Sequence, residues 1–522
     1  MDRATHTDAP ALAPLARLLA ESERLRAFLD DPGEARVSEP ILPLFLAALH
    51  VARAGPLVAV LPDDAQARDA AEAAGWYLGE EAVGLFASRG VRWGAGLEPP
   101  PHLVGERARA LEVLADGGLV VASALGAAEG VPPAEARPAP VELRLGDEPG
   151  VEGLAERLAL AGYERVAQAE ERGQFAVRGG IVDVFPSTGR EPVRVELFGD
   201  EIESLRAFSP FTQRTLHTLD RATVYPAAER RLDLVEPALP EGEEPAVPGD
   251  LVAPLPAVDL VWQAEEAEEA VNEELGTGLD LAGALRLSQL PAGQRHAFEA
   301  QRPAVAARGL AEAERDLHGY VNAGNRVVVT FVHRGEALRT KAMLRRLDAV
   351  VLDPGDDLPS EPGLVFAVSP ARRGFVLRDL GVILLPDTQV FRKRPPRTDA
   401  RIGRALQSFA DLRTGDHVVH EDHGVGKLLG FETKTVAGVT RDYLFLAFRG
   451  DDRLYVPHEQ IAKVSRYVGA DGHAPAFSKL GGKAGQTIKS RARAGARELA
   501  GELLALYARR QRAEGVAFDA DD

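Results

Sequence analysis

The sequence predicts a multidomain α/β chain followed by a small β barrel and a C-terminal helix. Three observations carry that expectation. At 522 residues the chain exceeds what one hydrophobic core serves, which implies about three to five domains. Short apolar strands alternate with amphipathic helices over most of its length, the pattern of parallel sheets covered by helices. From residue 412 to 467 the pattern changes to successive short strands with tight connections.

Composition narrows the function classes. An apolar fraction of 45% with 27% charged residues is that of a globular protein, and the absence of cysteine removes disulfides, thiolate nucleophiles, iron–sulfur clusters and the usual structural zinc sites. A formal net charge of −18 argues against a surface that grips nucleic acid throughout. The N-terminus has no signal-peptide pattern and no apolar run is long enough for a membrane span, so the expected location is the cytoplasm.

The α/β part opens with LVAVLP (57–62) as a buried strand, DDAQARDAAEAAGWYLG as a helix with an aspartate cap, and GLVVASA (118–124) as another strand. A nucleotide-driven enzyme would carry a phosphate cradle after such a first strand, but G-x-x-x-x-G-K-[ST] occurs nowhere. GVGKLL (424–429) and GGKAGQT (481–487) fail in spacing or lack the hydroxyl after lysine, and G-x-S-x-G is also missing. The acidic run Glu229–Glu274 reads as a polar linker followed by the solvated face of a helix.

In residues 162–210, FAVRGGIVDVFP reads as a strand in which Gly179 and Gly180 hold a bulge, and VRVELFGDEIESLRAF as two strands across a turn at Gly199–Asp200. Val193, Val195 and Leu197 share one face, leaving Arg194, Glu196 and Phe198 on the other. A phenylalanine beside an arginine there is an anchor pair for a protein partner; the bland alternative packs Phe198 under a neighbouring domain and pairs Arg194 with Glu196.

The strings Gly173-Gln174-Phe175-x-Val177-Arg178-Gly179-Gly180-Ile181-x-Asp183-x-Phe185-Pro186 and Arg194-x-Glu196-Leu197-Phe198-x-Asp200-Glu201-Ile202-x-Ser204-x-Arg206 resemble the UvrA-binding domain shared by UvrB and the transcription-repair coupling factor (Mfd) family. That resemblance implies a small α/β module docking onto UvrA, with Arg165, Arg178, Arg190 and Arg194 as basic contacts and Phe185 or Phe198 as apolar support. The flanking segments then resemble that family's degenerate helicase-like domain, which has the UvrB fold without its ATP site.

A further α/β run follows. RVVVTFVHR (326–334) is a strand, GEALRTKAMLRRL (335–347) a helix carrying Arg339, Lys341, Arg345 and Arg346 on a solvated face, and Val382–Leu385 a buried strand. RKRPPR (392–397) reads as a basic linker.

LRTGDHVVHEDHGVGKLLGFE (412–432) gathers His417, His420 and His423 around Glu421 and Asp422. On a strand His417 and His423 share a face and His420 points the other way, so spacing disfavours a metal site; Gly424 and Gly426 mark a turn. KLLGFETKTV, DYLFLAFRG and RLYVPHEQIAKVSRYVG continue as strands of a barrel of the SH3 or Tudor type. The string Gly415-Asp416-x-Val418-Val419-His420-x-x-His423-Gly424-Val425-Gly426, with Asp442-Tyr443-Leu444 and Asp452-x-Leu454-Tyr455-Val456-Pro457, resembles the RNA polymerase-interacting domain of the same family and of CarD. The resemblance implies that an exposed strand edge pairs with the β subunit of RNA polymerase, through Leu428, Leu429, Phe431, Lys434 and Val436 here. Many relatives carry an aliphatic residue where Lys434 stands, which shifts the expected affinity toward backbone pairing and Phe431.

Finally, Leu499, Leu503, Leu506 and Tyr507 make one stripe of a basic helix within 477–518, which in the family leads toward the motor; the usual tryptophan after LGGK-x is Gly485 here. The expected organisation is a degenerate helicase-like domain at 1–148 and 226–300, interrupted by the UvrA-binding module at 149–225. A linking α/β domain at 301–400, the barrel at 405–470 and the linker with its helix at 471–522 follow. This reads as the N-terminal half of the family protein: a monomeric adaptor between RNA polymerase and UvrA, with no catalytic residue, no metal and no cofactor of its own, ATP and magnesium belonging to the motor domains. DNA contact is expected to be weak or indirect. A UvrB-like damaged-DNA-binding protein and an enzyme built on His420, Asp422 and His423 are the alternatives.

Overall fold

Strand Leu57–Leu61 is buried at all its positions because it lies inside the largest sheet, with neighbours on both edges and helices over both faces. The computed structural model describes residues 10–91, 99–210, 213–231, 258–275, 283–289, 295–303, 307–391, 417–420, 424–436, 439–449, 452–457 and 464–466, with positions 255, 278, 281 and 305. For 419, 424, 431–436, 439–442, 457, 465 and 466 it describes backbone only. The chain divides into two compact units, residues 1–207 with 218–395, and 208–217 with 396–522, each described by itself.

The seven-stranded sheet runs His296–Phe298, Ala35–Val37, Leu285–Ser288, Leu260–Trp262, Leu57–Leu61, Leu119–Ser123, Val83–Phe86, and every pairing in it is parallel. It therefore draws strands from both sides of residues 141–229. Asp63 caps helix Asp64–Leu78 by accepting from the Gln66 amide at 2.8 Å, and Asp64 accepts from the Ser88 amide at 2.8 Å. Two carboxylates thus lie at the helix N-terminus where a phosphate-binding loop would bring its anion.

On one face of this sheet, Val58, Val60, Val120, Ala122 and Val261 pack against Ala264, Ala267 and Val271 of the acidic helix Ala264–Leu275. On the other, helices Ala13–Ala20, Leu42–Arg53 and Asp64–Leu78 bury Leu15, Leu19, Phe45, Leu49 and Ala74. The same core continues through Val328, Val365, Phe375 and Leu384 of a second sheet. That sheet runs Ala349–Val351, Gly363–Val368, Arg326–Phe331, Val382–Pro386, Phe375–Leu377, parallel except for its last pair. Helix Arg334–Met343 stops before Arg345 and Arg346, which the sequence places in it, because the amides of Arg345, Arg346 and Leu347 turn onto one oxygen of buried Glu314.

Between the two halves of the large sheet, the chain folds helix Val151–Leu160 against a sheet in which five strands follow one another in order: Glu164–Arg165, Gln174–Arg178, Ile181–Val184, Val193–Phe198 and Glu201–Phe208. FAVRGGIVDVFP is two strands rather than one bulged strand. Arg178 pairs with Ile181 across Gly179, whose φ of +59° suits a two-residue hairpin turn.

In the second unit, His417–His420, Gly424–Val436, Val439–Ala447, Arg453–Pro457 and Val464–Arg466 form one antiparallel sheet around Val418, Leu428, Leu444, Leu446, Phe448, Val456 and Val464. Gly424 and Gly426 belong to a strand, not to a turn. A Cβ on Gly426 would stand 2.9 Å from the Ala447 carbonyl, so close backbone approach accounts for the glycine. Across both units the architecture is mixed α/β with parallel sheets and a small antiparallel sheet toward the C-terminus.

Candidate docking surfaces

Strand Val193–Phe198 turns Val193 and Val195 into the core with Phe175, Val182, Leu158 and Leu205, which leaves Arg194, Glu196 and Phe198 on the outer face. Cross-strand register builds that face. One row carries Ala176, Asp183, Arg194 and Arg206; the next carries Arg178, Ile181, Glu196 and Ser204; Phe198 stands beyond them, opposite Glu201 at a hairpin closed by Gly199 at φ +63°. Phe198 is 80% exposed at the tip of this hairpin.

The sequence-expected contacts divide on this frame. Arg178, Arg194 and Phe198 share the outer face. Arg178 is exposed and donates to the Ala167 carbonyl at 3.0 Å, whereas Arg194 lies flat across the sheet in a two-pronged bond to Asp183, at 2.7 and 2.8 Å. That carboxylate, 3% exposed, raises the guanidinium pKa above its ordinary value through the hydrogen bonds. Glu196 pairs instead with Arg206, an outer-face arginine absent from the sequence candidates: strict alternation from Glu201 would turn it toward the core, and the register shift between Ile202 and Ser204 returns it to the outer face.

Arg165 is exposed on an edge strand but in register with buried Phe175, hence in a row of the opposite face. Arg190 is exposed in the loop before Val193. Phe185 is 8% exposed, and its amide donates to the Gln174 carbonyl at 2.8 Å, so its role is to support the sheet from within.

The second surface is an edge. Residues 424–427 of strand Gly424–Val436 pair with His417–His420, and residues 427–436 pair with Val439–Ala447. From Leu428 onward the other edge has no partner strand among the described residues. Leu428 faces the core and is fully buried, and Leu429 is 39% exposed. Phe431, Lys434 and Val436 continue the strand, with side chains outside the described residues.

On the face opposite Leu444, Leu446 and Val456, Phe445 stacks on Tyr455 at 4.7 Å between ring centres, with Arg453 above Phe445. His420 is 4% exposed beside Val418 while His417 is half-buried, the opposite facing that strand spacing requires. Glu421, Asp422, His423, Gly485 and the C-terminal helix lie outside the described residues. Among the described residues no group of three His, Asp or Glu side chains is placed to hold a metal ion, and no helix is long and apolar enough to cross a membrane.

These two surfaces coincide with two family matches. Residues 141–229 match the UvrB interaction domain and residues 412–468 the CarD-like/TRCF RID domain. A chain carrying both is a multidomain protein built of interaction domains. It is a relative of the transcription-repair-coupling factors and corresponds to their N-terminal half: it is 30% identical to that protein of Mycobacterium bovis, over 94% of this chain and 48% of the relative, and 27% identical to that of Bacillus subtilis, over 81% and 44%. The chain thus spans about half the length of these curated relatives. A solved structure, CdnLNt from Myxoccoccus xanthus, aligns with 14% of this chain and 99% of its own at 26% identity and a TM-score of 0.11.

Proposed function

We propose that this chain is a transcription-coupled repair adaptor: it binds the β subunit of RNA polymerase through the open edge at Leu428–Val436 and recruits UvrA through the outer face around Phe198. The observation that carries this reading is the presence, on one polypeptide, of matches to two interaction domains, the first with an exposed aromatic anchor and the second with a strand edge that has no partner strand among the described residues. Closure of the C-terminal sheet into a Tudor-like barrel belongs to the same reading. So do a monomeric chain, a cytoplasmic location, the contact roles of Arg178, Arg190, Leu429, Phe431, Lys434 and Val436, and the supporting roles of Phe185 and Arg194.

The test is a pull-down on the purified chain offering UvrA and the polymerase β subunit together. Both are expected to be retained; a folded sample that retains neither rejects the adaptor. This sequence carries no phosphate-binding loop pattern, so it is expected to turn over no ATP, and robust turnover that survives further purification rejects that part.

A further inference from the structure

The UvrB-interaction module joins the seven-stranded α/β frame through two straps, residues 131–140 on the way in and 225–231 on the way out, and helix Pro101–Ala115 lies against it. Two independent features bind helix and module. The first is steric. A Cβ on Gly105 would stand 2.2 Å from Ser187 Oγ, and one on Gly173 would stand 2.8 Å from Pro101 Cγ, so helix and module meet with no room for a side chain at either glycine. Ser187 is fully buried there, its amide donating to the Tyr163 hydroxyl at 2.9 Å and its hydroxyl to the Tyr225 carbonyl at 2.9 Å.

The second is electrostatic. Arg89, from the end of a frame strand, and Arg107, from the helix, converge on Glu229, the last residue of the matched module. The distances are 2.8 and 2.9 Å, with the three side chains 4%, 3% and 7% exposed. Arg107 also donates to the Ala87 and Gly130 carbonyls, at 2.7 and 2.6 Å, and lies 4.0 Å over the Phe86 ring. Glu129 fills the remaining side, accepting from the Ser88 hydroxyl and the Arg89 amide at 2.8 Å each. Removing Glu229 takes from two buried guanidiniums the carboxylate they share, a costly change in a low-dielectric interior. A cavity of about 350 Å³ has Arg107 and Glu229 in its lining and gives a small anion a way in.

We propose that Arg89, Arg107, Glu229 and Gly105 are positioning residues that clamp the module to the frame, so that the face bearing Phe198 is presented in one fixed orientation rather than on a swinging arm. Only the identity of what docks on that face rests on the adaptor reading; the clamp is measured without any partner.

The chain has no cysteine, so paired spin labels can be placed at Ala65→Cys on the frame and Glu203→Cys on the module, both exposed positions. The expected result is a single narrow distance distribution that broadens in Glu229→Ala and narrows again with sodium formate but not with sodium chloride, formate supplying the missing carboxylate. Amide protection at 227–231 should fall about 100-fold in that variant, the equivalent of about 3 kcal/mol, and recover with formate. A broad distribution in the chain with Glu229 intact overturns the proposal, as does a folded Glu229→Ala chain that stays narrow. If Glu229→Ala does not fold, Glu229→Gln takes its place with the same labels: broadening supports the clamp, and a distribution that stays narrow overturns it. Failure of the chain to bind UvrA leaves these measurements unaffected and counts against the adaptor reading alone.

Discussion

Arg194 and Phe198 sit on one strand face and do different work. Arg194 is committed to buried Asp183, so Arg194→Ala leaves a carboxylate with 3% exposure uncompensated and should cost about 3 kcal/mol in urea unfolding. A cost below about 0.5 kcal/mol, the range of ordinary surface substitutions, would show the pair to be incidental. Phe198 touches little of its own chain. Phe198→Ala should leave the unfolding midpoint almost unchanged while weakening UvrA binding by at least about tenfold, as expected for an aromatic anchor. A stability loss without a binding loss would reverse that assignment. Alternation along 193–198 is enough to place both residues on the outer face, but the choice of Asp183 over Glu196 as Arg194's partner depends on the register of the preceding strand.

At the scale of elements, strand cores and helix caps were legible while several ends were not. LVAVL and the Asp63 cap follow from local pattern. Helix Arg334–Met343 ends where it does because Glu314, on another helix, accepts the next amides. Burial raises the Glu314 carboxyl, but the amides of Arg346, Arg345 and Leu347, with the charge of Arg346, outweigh it and hold the folded value below the ordinary 4.5. The folded pKa is thus lower than the unfolded one, and Glu314 contributes stability that is present above pH 4.5 and lost as pH falls through the folded value. Urea titrations of the parent chain and Glu314→Gln should therefore diverge at neutral pH and converge in acid; parallel curves would remove Glu314 from the account. On the open edge, Leu429→Asp should abolish polymerase β-subunit binding with a small effect on stability, since Leu429 is 39% exposed and outside the buried cluster. Retained binding would move the interface elsewhere.

For the molecule as a whole, and apart from the module at 141–227 with its own buried cluster, one apolar core runs from the helices on the seven-stranded sheet into the second parallel sheet, so these two sheets form a region with no apolar gap at which one part melts first. Ion pairs of Arg302 and Arg373 with Glu39 join the same two parts, though at exposed positions where such pairs contribute little. Calorimetry should give a single transition for this region and a separate one for the C-terminal sheet, which has its own core. Val328→Ala, at a fully buried site in the core common to both sheets, should lower the first transition by about 2 kcal/mol and leave the second in place. Separate transitions for the seven-stranded sheet and the second parallel sheet would show the shared core to be energetically divided.

The sequence by itself determined which segments are buried strands, the absence of a phosphate-binding loop after the first of them, and the two segments that carry interaction domains, because period, composition and short motifs are local properties of a chain. Only the tertiary structure decided which of the candidate arginines remain on the docking face and which are bound down. It alone closed Arg89 and Arg107 around Glu229 and left one edge of the strand at Leu428–Val436 without a partner strand among the described residues. Each of these depends on groups far apart in sequence meeting across a sheet, and pairing between distant segments is set by register and burial, which no local pattern encodes.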